Sequence, residues 1–204
     1  MIINSGKLLL TSTGISSENL AKKFISFFND PKNCFVAIIT TAAEGKEKNK
    51  YSQLAKKQFE TIGFKLVDFV DLETDQNRDL SGYGVIYVCG GNTFKLLKFA
   101  KEANFEHSIK NLLNRNGVYV GVSAGSIIVG PSIDIANEVE PDPNDIGLED
   151  FTGLNLTQLI ILPHYSPEIE EQTKALEEKY RTSVERLSDS QAILLENGKK
   201  TLVE

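Results

Sequence analysis

The sequence predicts an α/β protein with a doubly wound, mostly parallel sheet and helices on both of its faces. Short apolar runs alternate with longer amphipathic segments along the 204 residues, which is the order typical of strand–helix–strand units. Most of the short runs are continuously apolar, as expected for parallel strands that are buried on both faces. Three unusual loops follow such runs, after Cys89, at Ser123 and after Pro163, and the sites of doubly wound sheets lie beyond such strand ends.

The predicted elements alternate in order along the chain. The candidate strands are residues 7–11, 34–40, 65–70, 85–89, 117–122, 159–163, 192–196 and 200–203. The predicted helices have ordinary end signals, such as the capping serine at the start of residues 17–28, Gly63 after residues 48–62 and a proline at the start of residues 167–187. Further helices are predicted at residues 93–102 and 106–114. Residues 131–157 are rich in acids, proline, asparagine and glycine, and predict a long irregular loop of the kind that is usually functional.

The composition is that of an average soluble protein, with 41% hydrophobic and 25% charged residues. A chain of this length is expected to form one domain, residues 1–204, whose core needs neither a disulfide nor a metal. The formal net charge of −6 argues against nucleic acid or an anionic membrane as a partner. The first residues lack a signal-peptide pattern and no apolar stretch is long enough to cross a bilayer, so we expect a cytoplasmic protein.

One predicted strand-to-helix turn carries the strongest chemical signal. The segment from Gly121 to Gly125 follows an apolar run and has the form G-x-S-x-G, with Ser123 at its centre. Such a nucleophile elbow holds a serine hydroxyl clear of the backbone, and its glycines allow the strand and the helix to pack closely. The alternative is that these small residues serve packing alone.

A serine nucleophile needs a general base, and the chain has two histidines. His107 lies in a predicted helix, where a polar surface position is sufficient to explain it. His164 follows the predicted strand at residues 159–163, which places it at the same edge of the sheet as Ser123. We therefore predict that His164 is the base.

The third member of such a group is a carboxylate that orients the histidine. If the order along the chain is serine, acid, histidine, as in other proteins with this elbow, the acid lies in the predicted loop. Composition alone does not choose among the acids of this loop, which include Asp134, Glu138, Glu140, Asp142, Asp145, Glu149 and Asp150.

A second turn, at residues 89–93, has two glycines between a strand and a helix (Cys-Gly-Gly-Asn-Thr). It lacks the spacing and the Lys-Ser/Thr pair of a phosphate-binding loop. Its Asn92 or Thr93 can cap the helix, and its glycines allow a ligand to approach the backbone closely. We predict that the N–H groups of Gly91 and Ala124 form an oxyanion hole.

Three segments together resemble the signatures of the dipeptidase E (aspartyl dipeptidase) family of serine peptidases: residues 87–97, residues 121–126 and Pro163-His164-Tyr165. They occur in the family's order and at compatible spacing; cyanophycinase is a more distant relative. The resemblance implies a fold like that of class I glutamine amidotransferases, whose elbow carries a cysteine where this chain has Ser123. It also implies Ser123 as nucleophile and His164 as base, without a metal or an organic cofactor.

The resemblance leads to two different residues as the carboxylate that orients His164. Counting forward from Ser123 to the family's Asn-Asp pair leads to Asn137-Glu138. Counting back from His164 leads to Asp142, because this chain is slightly longer between the serine and the histidine. We predict Glu138, with Asp142 as the alternative, since a glutamate can orient an imidazole equally well.

One departure from the family concerns the substrate. Aspartyl dipeptidases hold the substrate's aspartate with an arginine in the segment after the catalytic histidine. This chain has no arginine there before Arg181, and Lys174 is the only cation near that position. Because a lysine is a weaker partner for a carboxylate than a bidentate guanidinium, we do not expect strict specificity for an N-terminal aspartate.

Together with these residues, the resemblance implies a serine peptidase that hydrolyses small peptides near their N-terminus through an acyl-enzyme. An esterase or amidase with the same residues and a non-catalytic binding module on the same fold are the alternatives. A homodimer through an exposed strand or helix is a further possibility, and no stripe in the sequence singles out the element that would pair the subunits.

Overall fold

The computed structural model describes residues 6–204. Its centre is a seven-stranded sheet with the strand order β3-β2-β4-β5-β1-β8-β9. These strands are β1 (Lys7–Thr11), β2 (Phe35–Ile39), β3 (Leu66–Val70), β4 (Val85–Val88), β5 (Val118–Val122), β8 (Ala192–Glu196) and β9 (Lys199–Val203). A separate two-stranded sheet consists of β6 (Ile160–Leu162) and β7 (Val184–Arg186).

The central sheet is mostly parallel, as predicted. Strands β3, β2, β4, β5 and β1 run in one direction, and β8 and β9 form an antiparallel edge. The carboxyl ends of β1, β2, β4 and β5 therefore meet at one edge of the sheet. That edge is where a doubly wound fold places its functional site.

The helices are α1 (Glu18–Ile25), α2 (Lys50–Ile62), α3 (Thr93–Glu102), α4 (Phe105–Asn114), α5 (Ala124–Ile127), α6 (Ile135–Glu138) and α7 (Glu170–Tyr180), and all except α6 lie where the sequence predicts a helix. Two predicted end signals are confirmed. The Ser17 side chain accepts a hydrogen bond from the Leu20 N–H at the start of α1. Gly63 ends α2 in the left-handed conformation, with φ of 102°, which glycine adopts without steric cost. Within residues 6–204, every helix is too short or too polar to span a membrane.

The central strands are buried on both faces, which explains their continuous apolar runs. On β1, Leu8 and Leu10 belong to a buried cluster that includes residues of α3 and α4. Leu9, between them, belongs to a second cluster that includes Phe24 of α1 and Phe59 of α2. Successive strand residues point to opposite faces, and one of these clusters covers each face, so all three leucines are fully buried.

The structure corrects the prediction in the last third of the chain. The predicted strand at residues 159–163 forms β6, but β6 pairs with β7 and not with the central sheet. The predicted helix at residues 167–187 is shorter: α7 ends before Arg181, which has φ of 50°. The residues after α7 form the strand β7, whose Val184 is buried. The predicted loop at residues 131–157 contains the single-turn helix α6.

Candidate active site

Ser123 lies between the end of β5 and the start of α5, in a strained backbone conformation. Its φ is 48° and its ψ is −111°, a combination that residues with a side chain rarely adopt. Such strain costs on the order of 1–3 kcal/mol and persists only where the surrounding structure imposes it. The strain makes Ser123 a candidate for function.

The two glycines of the elbow are required by close packing. A Cβ atom on Gly121 would lie 2.6 Å from the carbonyl oxygen of Gly125. A Cβ atom on Gly125 would lie 2.7 Å from the carbonyl oxygen of Val88 on the neighbouring strand β4. These distances are shorter than van der Waals contact, so any larger residue would displace backbone. The predicted reason for the glycines is confirmed.

Hydrogen bonds from β1 hold the elbow in place. The Ser123 N–H donates to the carbonyl oxygen of Thr11 at 2.9 Å. The hydroxyl of Ser126 contacts the carbonyl oxygens of Thr11 and Gly121 at 2.8 and 2.9 Å. Ser126 is completely buried, so its hydroxyl supports the turn, whereas Ser123 is partly exposed.

His164 follows β6 and also has a left-handed backbone, with φ of 53°. Its N–H donates to the hydroxyl of Ser12 at 3.1 Å. The same hydroxyl donates to the carbonyl oxygen of Leu187 at 3.0 Å. Ser12 directly follows β1. A side chain at the end of a central strand thus positions His164, although β6, which precedes His164, lies in the other sheet.

The imidazole of His164 contacts a carboxylate that the sequence prediction did not consider. Its Nδ1 lies 2.7 Å from Oδ1 of Asp189. The backbone of Asp189 is held by the turn after β1, because its carbonyl oxygen accepts hydrogen bonds from the hydroxyls of Thr13 and Ser16 at 2.7 and 3.3 Å. The turn after β1 thus anchors both members of the pair.

The structure does not bring Glu138 to His164. The Glu138 carboxylate contacts Nζ of Lys179 at 2.8 and 2.9 Å and the hydroxyl of Tyr180 at 2.6 Å. The lysine and then the tyrosine hydroxyl hold the pKa of this carboxyl below its usual range. Glu138 therefore joins α6 to α7, and Asp189 takes the position beside the imidazole that the prediction gave to Glu138.

Asp142, the alternative, is also engaged elsewhere. Its Oδ2 accepts a hydrogen bond from the N–H of Thr93, at the start of α3, at 2.8 Å. Both predictions assumed that the acid precedes the histidine, whereas Asp189 follows His164 by 25 residues. The available signal was the polar turn Ser188-Asp189-Ser190, which lies directly before a predicted strand.

The predicted oxyanion donors lie beside the elbow. Gly91 has φ of 131°, and a Cβ atom there would lie 2.0 Å from the carbonyl oxygen of Ala42. A Cβ atom on Gly90 would lie 3.1 Å from the Cβ of Ser123, so this turn packs against the serine. Within the described part of the chain, the N–H groups of Gly91 and Ala124 have no hydrogen-bond acceptor. The turn also caps α3, because the Asn92 side chain accepts from the Lys95 N–H.

Two cavities meet at Ser123. The larger has a volume of about 820 Å³ and is lined by Ser123, His164 and Asp189 together with both glycines of the turn. The smaller, about 60 Å³, is lined by Ser123, Glu140 and Asp142. Burial, more than neighbouring charge, raises the pKa of the Glu140 carboxyl.

No lysine or arginine is among the described residues that line these cavities. Lys174, the cation that the sequence offered, is 65% exposed and pairs with Glu170 on its own helix. Arg186 forms ion pairs with Glu170 and Glu177. A carboxylate placed in the cavities beside Ser123 would therefore meet acids, and no lysine or arginine among the described lining residues.

A glycine-flanked serine at the carboxyl end of a parallel strand, with a histidine and a carboxylate in the same cavity, defines a serine hydrolase of the α/β class. Comparison with known families narrows this class. Residues 8–203 match the model of Peptidase family S51, and the chain belongs to this family. It is a serine peptidase, and its resemblance to the dipeptidase E family is confirmed.

Individual relatives agree with this assignment. An uncharacterized peptidase from Pasteurella multocida is 30% identical over 96% of both chains. Peptidase E from Nostoc is 32% identical over 78% of this chain and 64% of its own length. Among solved structures, a candidate Peptidase E from Listeria monocytogenes superimposes with a TM-score of 0.80 at 27% identity, covering 97% of this chain and 98% of its own.

Proposed function

We propose that this peptidase acts through a triad of Ser123, His164 and Asp189. The observation that carries the proposal is the 2.7 Å contact between His164 Nδ1 and Asp189 Oδ1, in a cavity that Ser123 also lines. A carboxylate at this nitrogen orients the imidazole and stabilises the imidazolium that forms when the ring accepts a proton.

The contact with Asp189 determines which ring nitrogen acts as the base. An ionised carboxylate only accepts hydrogen bonds, so Nδ1 of His164 carries the proton in this contact. Nε2 of the neutral imidazole then has a free lone pair. It takes the proton of the Ser123 hydroxyl as the oxygen attacks the substrate carbonyl.

The remaining steps follow from the same groups. The N–H groups of Gly91 and Ala124, which have no acceptor within residues 6–204, stabilise the oxyanion of the tetrahedral intermediate. The imidazolium of His164 returns its proton to the leaving amine, which gives an acyl-enzyme on Ser123. Water, activated by the same imidazole, releases the acid.

The substrates that we propose are small peptides, cleaved near their N-terminus. The support is the similarity to proteins named Peptidase E. Strict specificity for aspartate is not part of the proposal, because no lysine or arginine is among the described lining residues.

Labelling with a fluorophosphonate, followed by peptide mapping, tests the nucleophile. We expect the label on Ser123 and its loss in Ser123→Ala and His164→Ala, while Ser26→Ala, which changes an exposed serine after α1, keeps it. Hydrolysis of a dipeptide panel then tests the peptidase reaction. Absence of labelling would contradict an activated serine, and hydrolysis of nitrophenyl esters without peptides would identify an esterase.

A further inference from the structure

One wall of the larger cavity is an apolar face of α2. Five residues of α2 line the cavity: Tyr51, Ser52, Leu54, Ala55 and Gln58. Their spacing of one, two, one and three residues places them on the same side of a helix. Three of the five are apolar or aromatic. The helix thus presents a mostly apolar stripe to the space beside the candidate nucleophile.

Further apolar groups extend this wall. Ile15, in the turn after β1, and Tyr87, on β4, also line the cavity and are 5% and 6% exposed. Tyr51 and Leu54, in contrast, are 67% and 58% exposed. When an apolar ligand covers large apolar groups that are exposed on a cavity wall, the removal of their surface from water favours binding.

The charges around Ser123 oppose an anionic side chain. The titratable acids that line the two cavities are Glu44, Asp189, Glu140 and Asp142. Lys50 lies outside the lining, with its ammonium group 4.7 Å from the centre of the Tyr51 ring. A substrate carboxylate in the cavity would lose water without gaining a direct cationic partner among the described lining residues, which is unfavourable.

We propose that this cavity is a side-chain subsite that selects peptides with a large uncharged apolar residue, such as leucine or phenylalanine, next to the scissile bond. Tyr51 and Leu54 are its specificity residues. The inference rests on the proposed role of Ser123, since it is the shared cavity that brings the apolar wall to the reacting bond. A volume of about 820 Å³ is in the usual range for small-molecule sites.

Five dipeptides test the proposal: Leu-Ala, Ala-Leu, Ala-Ala, Asp-Ala and Ala-Asp. We expect kcat/KM for at least one leucine peptide to exceed that for Ala-Ala by about tenfold or more, as hydrophobic pockets discriminate by size. The aspartate peptides should not exceed Ala-Ala. Comparison of Leu-Ala with Ala-Leu shows on which side of the scissile bond the subsite lies.

Substitutions in the apolar wall link the preference to this cavity. Tyr51→Ala and Leu54→Lys change exposed side chains, so the fold should be retained. Each should remove most of the preference for leucine, and Leu54→Lys should also raise the relative rate with an aspartate peptide. Leu202→Lys is the matched control, because Leu202 is an exposed leucine on β9 that does not line the cavity.

Calorimetric binding of the same dipeptides to Ser123→Ala separates the subsite from the reaction. If the wild-type protein hydrolyses no dipeptide, the proposed function is wrong, and binding alone decides the subsite. Binding of a leucine peptide about tenfold more tightly than Ala-Ala supports the inference. The inference would be overturned if all five peptides were bound or hydrolysed equally, or if an aspartate peptide were preferred. It would also be overturned if Leu202→Lys reduced the leucine preference as much as the substitutions in the apolar wall.

Discussion

The two halves of the candidate triad are built differently. Ser123 lies on a turn inside the central sheet, and residues of β1, β4 and β5 contact that turn directly. His164 and Asp189 come from two distant segments, and their side chains are 37% and 69% exposed. The hydroxyls of Ser12 and Thr13 hold their backbones. The candidate nucleophile thus depends on close packing against the central sheet, whereas the candidate base and acid depend on a few hydrogen bonds near the surface.

The largest loss of activity that distinguishes the two halves is expected when Asp189, the candidate acid, is replaced. Asp189→Asn should lower kcat by about 10²–10⁴-fold with little change in stability, because the amide no longer stabilises the imidazolium or fixes its tautomer. Glu138→Gln is the matched control on the same protein, and its kcat should change by less than about fivefold. Steady-state kinetics with one dipeptide measures both. The reverse ranking would restore Glu138 as the acid.

The same contrast explains what could be predicted from the sequence. Ser123, its flanking glycines and the cap at Ser17 were predictable because each leaves a short pattern in the sequence, although the elbow also packs against the distant residues Thr11 and Val88. Asp189 was not, because its place beside His164 depends on the pairing of β8 with β1, which no local pattern encodes.

The errors in the fold have a similar origin. An apolar run predicts a strand but not its partner, so β6 was placed in the central sheet. The strand β7 has the sequence Val-Glu-Arg, and its two charged residues continue the charged pattern of α7. Arg186 of β7 forms ion pairs with Glu170 and Glu177 of α7. Helical periodicity does not reveal such contacts between two elements.

A smaller effect is expected from the packing of the elbow. Gly125→Ala should lower the free energy of unfolding by about 1–3 kcal/mol, because its Cβ would lie 2.7 Å from the Val88 carbonyl oxygen. Gly82→Ala is the control, since a Cβ there meets no atom within 4 Å. Urea denaturation compares the two variants. Equal stability of both would show that the elbow accommodates a methyl group.

The smallest effect concerns the pH dependence of stability at Glu138. The folded state lowers the pKa of this carboxyl, so its stabilising contribution is present above the unfolded pKa of about 4.3 and is lost as the pH falls through the folded pKa. Because the pair with Lys179 is partly exposed, we expect at most about 1 kcal/mol. Glu138→Gln should therefore be less stable than the wild type at pH 7, and the difference should shrink as the pH falls below the unfolded pKa. A difference that stays the same as the pH is lowered would contradict this role.

A double-mutant cycle on His164 and Asp189 tests the central claim most directly. If Asp189 acts only through the imidazole, Asp189→Asn should reduce kcat/KM strongly in the wild-type protein and have almost no further effect in His164→Ala. Both backgrounds can be measured with one dipeptide, and circular dichroism can confirm that each variant is folded. An Asp189→Asn effect of the same size in the presence and absence of the histidine would contradict the triad.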